Sequence, residues 1–284
     1  MFKGRRIAVV VPAFNEAAKI ARTLRSIPGF VDHVIVVDDA STDETARLAR
    51  RSQRRGLCVL AHAQNRGVGA AIATGYATAF AGGADITAVM AGDSQMDPAD
   101  LAGLVDAVAT GRADYAKGNR FACPRVYRVM PASRVLGNVV LSHLTRLASG
   151  YARLFDSQCG YTAASRRALA VILSGPLFPR YGYPNDLLCR LGAHGARVVD
   201  VPVRPVYGPD WHSGIRIAAV VLPLLRLLLR GIGARMMRPL RAWGAAELRS
   251  ARTVAGGYGN PPRVPIPGPH HGRARPLPMP EWPP

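Results

Sequence analysis

The chain has 284 residues, 49% of them hydrophobic and 19% charged, which excludes a disordered protein and fits one large domain with a tail or two small domains. Lys and Arg number 37 against 18 Asp and Glu, a formal charge of +19, so an anionic partner is expected: nucleic acid, an anionic membrane or phosphorylated small molecules, with an Arg-rich solvated surface as the plainer account. Cys58, Cys123, Cys159 and Cys189 are scattered without a CxxC pair, which argues against a disulfide framework or a zinc site and fits a reduced cytosolic compartment.

The start, MFKGRRIAVVVPAF, is basic and then apolar, but the apolar run is short and NEAAK follows without a cleavage pattern, so it reads as a first strand. HVIVVDDA, LCVLAHA and ADITAVMAGD are further Val- and Ile-rich strands, separated by NEAAKIARTLRSI, STDETARLARRSQ and GVGAAIATGYATAFAGG at helical spacing. Apolar strands alternating with helices predict an α/β layer with a mostly parallel sheet covered on both faces. Ligands of such sheets bind beyond the carboxyl ends of the strands, which puts PAFNE, DDAST and GDSQMD on one rim. Asn15 and either Ser41 or Thr42 are expected as helix N-caps, and Pro98 opens a first helical turn. MPASRVLGNVVLSHLTRLASG reads as an amphipathic helix, RLFDSQCGYTAASRRAL as a loop, a short strand and a helix start, and YPNDLLCRLGAHGARVVDVPVRP as a helix and a last strand.

Residues 214–238 form a basic, strongly apolar segment. Its uninterrupted apolar run, Ile217–Leu225, is nine residues, against the ~20 that a spanning helix needs. Arg226, Arg230 and Arg238 fall near one helix face, the pattern of a helix lying in an anionic interface, with packing on the domain or in a dimer as the alternative. Pro223 bends or splits that helix. No nucleic-acid motif and no interleaved aromatics accompany the basic stretch, so nucleic acid is not expected. The organisation predicted is an α/β domain over 1–210, a membrane-associating helical region over 211–253 and a disordered Pro/Gly-rich tail over 254–284.

The first strand lacks the GxGxxG of dinucleotide binders, which counts against an NAD or FAD enzyme. Asp38 and Asp39 at a strand end are costly unless donors meet them, and ribose hydroxyls and a base N–H are such donors; helix capping is the alternative for Asp39. In AGDSQMDP, two carboxylates and an amide oxygen within five residues suit a hard divalent cation completed by phosphate oxygens, with capping as the alternative for Asp97.

Together VVVPAFNEA, VIVVDDASTDET, NRGVGAAIATGYATA, MAGDSQMDP and DSQCGYTAASRRAL resemble family 2 glycosyltransferases of the GT-A fold over roughly residues 5–210, nearest to dolichol- or polyprenyl-phosphate hexosyltransferases. The resemblance implies an inverting transfer of a hexose from a nucleotide-diphosphate sugar to a polyprenyl phosphate, with magnesium or manganese as cofactor. It implies nucleotide contacts by Pro12, Ala13, Asn15, Glu16, Asp38, Asp39, Asn65 and Gly67, and metal ligands in Asp93 and Gln95. Ala91 stands where the family often has a further Asp. Lys117, Arg120 and Gln158 are implied at the acceptor phosphate, and Asp186, preceded by Asn185 in place of Glu, at the position that is the base in relatives that glycosylate hydroxyls. A lipid phosphate is already ionised and needs cations rather than a base. The alternatives are a saccharide hydroxyl acceptor with Asp186 as base, or a sugar-nucleotide binder weakened in catalysis. The expected location is cytoplasmic, peripheral on the inner face of the cell membrane, with oligomeric state open.

Overall fold

A computed structural model describes residues 1–206 and 217–237. In chain order the elements are β1 (Ile7–Ala13), α1 (Ala17–Ser26), β2 (His33–Asp38), α2 (Thr45–Arg50), β3 (Leu57–Ala61), α3 (Val68–Ala81), β4 (Ile86–Val89) and α4 (Leu101–Ala109). Then follow β5 (Tyr115–Asn119), α5 (Val126–Val129), α6 (Ala132–Ser149), β6 (Thr162–Ser165), α7 (Arg166–Ile172), α8 (Tyr183–Ala193), β7 (Val198–Pro202) and α9 (Ile217–Met237). The seven strands form one sheet in the order β3-β2-β1-β4-β6-β5-β7. All pairings are parallel except those of β6, which runs antiparallel between β4 and β5.

β1 is buried along its whole length because both faces are covered. Its odd residues Ile7, Val9 and Val11 share a core with Ile20 and Leu24 of α1 and Leu104 of α4. Val10 points the other way, to Ile72 and Tyr76 of α3 and Leu169 of α7. Gly75 lets α3 approach this strand: a Cβ there would lie 2.3 Å from Val10 Cγ1. α9 lies on α6 and α8, with Leu224 and Leu228 buried beside Ala148 and Cys189.

The cap expectations are corrected. Asn15 is not the N-cap of α1: its side-chain oxygen accepts the Thr42 N–H at 2.9 Å. Nor do Ser41 and Thr42 cap α2, which starts at Thr45, whose N–H is held by Asp43 at 3.0 Å. Both differences have one cause, because the polar side chains of the two loops bond across to each other instead of to their own helices. Asp97 does cap, accepting the Ala99 N–H at 3.0 Å over a 3-10 turn that begins at Pro98. No described helix is long and apolar enough to cross a membrane. The expected tail 254–284, with residues 211–216 and 238–253, lies outside the described residues.

Candidate active site

The carboxyl ends of β1, β2 and β4 are zipped together by backbone. Ala13 O accepts the Asp39 N–H at 2.9 Å and Pro12 O accepts the Gly92 N–H at 3.2 Å. The two loops beyond are laced to each other: Asn15 N–H donates to Ser41 Oγ (2.9 Å), Glu16 N–H to Thr45 Oγ1 (2.7 Å) and Ala17 N–H to Asp43 Oδ2 (3.1 Å). Among the described residues, three of the four non-glycine residues with positive φ, Asn15 (55°), Ala40 (61°) and Ser94 (59°), sit in the turns just after these strands. Left-handed backbone outside glycine costs of order 1–3 kcal/mol and collects at functional sites.

Asp38 and Asp39 part company. Asp38 is 3% exposed; Oδ2 accepts the Ser41 N–H at 3.3 Å, while Oδ1 is buried without a hydrogen-bond partner among the described residues. A buried carboxylate oxygen without a donor is uncommon, and it is the acceptor that a base N–H or a ribose hydroxyl would satisfy. Asp39 is fully engaged. Its oxygens accept from His62 Nδ1 (2.6 Å), Arg66 N–H (2.9 Å) and Gly67 N–H (2.6 Å), and His62 Nε2 meets Thr74 Oγ1 at 3.0 Å. Asp39 therefore builds the Asn65–Gly67 turn instead of facing the rim. Gly67, at φ 92°, touches the loop after α7: a Cβ there would lie 2.6 Å from Pro179 O. Asn65 is exposed beside it.

Asp93 follows β4. Oδ1 accepts the Gln95 N–H at 3.0 Å. Burial pushes its carboxyl above the usual range, against the Gln95 N–H and the Lys19 ammonium. Glu16 is raised too, first by burial and then by Asp93, with Lys19 (3.7 Å) opposing. Thr23 Oγ1 ties this loop to α1 through Gly92 O (3.0 Å) and Ser94 Oγ (2.8 Å). Asp97 belongs elsewhere, with Oδ2 at 3.2 Å from Arg204 Nη2.

Asp93 and Gln95 line one cleft that is open to solvent, with Arg120, Tyr161 and Arg204 on its other walls. Among the described residues no three His, Cys, Asp or Glu form a metal-binding group. One carboxylate and one amide still fit magnesium or manganese, which take one or two carboxylates and complete their shell with substrate phosphates. The residues present suit a cation that arrives with a diphosphate.

The far wall rests on buried charge. The Arg120 guanidinium grips Asp156, Nε to Oδ2 at 2.7 Å and Nη2 to Oδ1 at 2.9 Å, and the Arg120 N–H adds a third bond at 3.1 Å. Asp156 is wholly buried. Burial pushes its carboxyl up, but Arg120 and then Lys117 outweigh that and hold it below the usual range. Lys117 is not at the cleft. It lies within β5, 1% exposed, and its ammonium donates to Cys159 O. Burial lowers its pKa, with Asp156 and Asp200 among the groups opposing. Burial raises Asp200 to about 6, and its Oδ1 has no partner.

Gln158 donates to Ser157 Oγ (2.8 Å) and to Asn185 Oδ1 (3.0 Å), which Thr145 Oγ1 also reaches at 2.6 Å. Asn185, the residue in place of Glu, is buried, and its Nδ2 lacks a partner. Asp186 is not free to act as a base: Arg190 Nε and Nη2 hold its two oxygens at 3.0 and 2.8 Å, and the Phe178 N–H adds 2.8 Å. Arg190 also donates to Gly175 O at 2.8 Å, so the pair fastens the loop after α7 to α8. Sequence reasoning missed Asp156, Tyr161 and Arg204; Asp156 opens the DSQCGY stretch and was visible only as one more acid.

A mostly parallel sheet with an antiparallel β6, and a rim of carboxylates at its strand ends, define a GT-A glycosyltransferase. Glycosyl transferase family 2 matches residues 8–173, and the protein belongs to that family. The chain is 29% identical over 216 residues to a UDP-N-acetylglucosamine–dolichyl-phosphate N-acetylglucosaminyltransferase of Methanococcus voltae, covering 71% of this chain and 86% of that one. It is 30% identical over 207 residues to a polyprenol monophosphomannose synthase of Mycolicibacterium smegmatis, covering 70% and 77%. Among solved structures it is similar to glucosyl-3-phosphoglycerate synthase of Mycobacterium tuberculosis in complex with Mn2+, UDP and glucosyl-3-phosphoglycerate, with TM-score 0.61, 28% identity and 81% of each chain covered.

Proposed function

We propose that the protein transfers a hexose from a nucleotide-diphosphate sugar to a polyprenyl phosphate, with inversion, at the cytosolic face of a membrane. One observation carries the reading: the carboxylate that suits a cation–diphosphate and a guanidinium fixed by a buried acid line the same cleft. Asp38 Oδ1 receives a donor of the nucleoside. Asp93 and Gln95 would hold magnesium or manganese, and such an ion would supply Lewis-acid stabilisation of charge on the departing diphosphate. Arg120, locked by Asp156, orients the acceptor phosphate. An acceptor phosphate oxygen bonds to the anomeric carbon as that carbon's bond to the diphosphate breaks, and the electron pair leaves with the nucleotide. No proton needs to be removed, which agrees with an Asp186 already held by Arg190 and Phe178. The relatives named for dolichyl and polyprenol phosphates support this acceptor class.

The likeness to glucosyl-3-phosphoglycerate synthase favours a second reading, a small phosphorylated acceptor on the same Arg120. Its hydroxyl would need a base other than Asp186. Radiolabelled UDP- and GDP-hexoses, offered with polyprenyl phosphate or 3-phosphoglycerate, with and without Mg2+ or Mn2+, separate the two. Metal-dependent label in the lipid phase is expected. Label only in the water-soluble product, or none across the panel, overturns the lipid reading.

A further inference from the structure

α6 carries three distinct faces. Ser142, Thr145 and Ser149 are buried toward the domain. Leu141, Leu144 and Ala148 pack with Leu224 and Leu228 of α9. The third face is uncovered: Leu136 (65% exposed), Val139, Val140 and Leu147 (62%) are all exposed. At 3.6 residues per turn these four positions span about 100° of arc, one continuous stripe. On the adjoining α9, Leu225 and Leu229 are exposed as well, next to exposed Arg226 and Arg230. Apolar side chains so grouped on a soluble surface mark a docking site.

Charge selects the occupant. From Phe121 to Phe155 the chain has five Arg and no Asp or Glu. Arg125 and Arg128, in the connection between the cleft and α6, are exposed, as are the aromatic rings of Tyr127 and Phe155. A second copy docked across a two-fold axis would set this basic belt against itself. An anionic bilayer complements it, taking the apolar stripe at the acyl boundary, the arginines at the headgroups and the aromatics between. The connection from Arg120 at the cleft to α6 is eleven residues, 121–131, and holds the short helix α5.

We infer that the uncovered stripe of α6, with Leu225 and Leu229 of α9, is the surface by which the protein seats on an anionic lipid bilayer. This extends the lipid-acceptor reading, while its binding test stands apart from it. The full chain is sedimented with vesicles of phosphatidylcholine alone or mixed with phosphatidylglycerol. Wild type partitions onto the mixed vesicles and much less onto the neutral ones. The double variant Leu136→Glu, Val140→Glu loses about tenfold or more in partition coefficient, and Leu136→Gln, Leu147→Gln loses about threefold, both melting as wild type does. Both variants keep wild-type turnover on a short-chain isoprenyl phosphate in detergent and lose it on acceptor embedded in vesicles. Three results each overturn the inference: wild type left in the supernatant with mixed vesicles, both variants binding as wild type does, or a dimer in sedimentation velocity that the Glu variant dissociates. If wild type binds mixed vesicles as stated yet uses neither isoprenyl acceptor, the acceptor assignment fails and the bilayer surface stands.

Discussion

Replacing Asp156 by Asn removes a negative charge from a wholly buried site and leaves the Arg120 guanidinium behind. Arg120 gives that carboxylate three N–H bonds at 2.7, 2.9 and 3.1 Å, and the buried Lys117 ammonium leans on the same charge. Removing one partner of such a pair costs ~3–5 kcal/mol, mostly through the cation left uncompensated. Asn keeps one acceptor oxygen, so the expected loss is at the low end, ~3 kcal/mol. At ~2–4 °C per kcal/mol for a domain of this size, the melting temperature falls by roughly 6–12 °C. Guanidinium unfolding at pH 7 reads the stability. Turnover reads the function: KM for the acceptor phosphate rises, because Arg120 is no longer aimed, while affinity for the donor nucleotide stays. A control pair, Arg120→Met with Asp156→Leu, recovers most of the stability but not the acceptor affinity. An Asp156→Asn protein within ~0.5 kcal/mol of wild type, with unchanged acceptor KM, would refute the idea that buried charge fixes the far wall.

Asp93→Ala lowers kcat at least ~100-fold in the labelled-hexose assay with the melting curve intact; near-wild-type turnover removes the metal assignment. Asp38→Asn leaves the free protein as stable or more so, because an unsatisfied buried charge goes, but weakens nucleotide binding ~10–150-fold by calorimetry, the worth of a hydrogen bond to a charged group; unchanged affinity would put the nucleoside elsewhere. Asp186→Asn costs ~1–2 kcal/mol of stability by freeing Arg190 and the Phe178 N–H, yet leaves turnover within about threefold; a thousandfold loss would restore Asp186 as a base. Asp200 supplies a pH test. Its folded pKa is raised from 3.8 to about 6, so the folded state holds the proton more tightly than the unfolded state does. Its contribution is therefore favourable at pH 4 and fades as pH rises to 6, by up to ~3 kcal/mol before solvent screening reduces it. Asp200→Asn gains on wild type over that window in pH-stepped unfolding; parallel curves would sink the assignment.

Long apolar runs made β1, β2 and β4 legible, because strands buried on both faces leave nothing else to read. β6 is different. Thr162–Ser165 is four small residues, and its antiparallel place between β4 and β5 depends on contacts far along the chain. The family resemblance implies Lys117 at the acceptor phosphate, whereas its ammonium is buried within β5 and donates to Cys159 O. Its neighbours Asp156 and Asp200 lie about 40 and 80 residues away, and no local pattern announces them. Asp38 ends β2 and Asp39 follows it, yet Asp39 turns to His62 and the Arg66–Gly67 backbone, partners that no local pattern announces. Asp186 and Arg190 stand at i and i+4 on one helix, the spacing of an ion pair.

The bonds between loops give the cleft a division of labour. On the donor side, Asn15 to Thr42, Ala17 to Asp43, Glu16 to Thr45 and Thr23 to Ser94 already join three loops and α1 without any ligand. Left-handed Asn15, Ala40 and Ser94 hold the turns in shapes that the chain would not adopt unaided. A nucleotide that meets this rim orders little on arrival, so its binding energy is not spent on the loops. On the acceptor side, the guanidinium is fixed just as firmly by Asp156, but the chain that leads away from it is a short basic connection to an uncovered helix. On the proposed lipid-acceptor reading, with the bilayer surface inferred for α6, a rigid donor rim facing a rigid cation suits a reaction whose two substrates come from different phases, the nucleotide sugar from water and the phosphate from the bilayer.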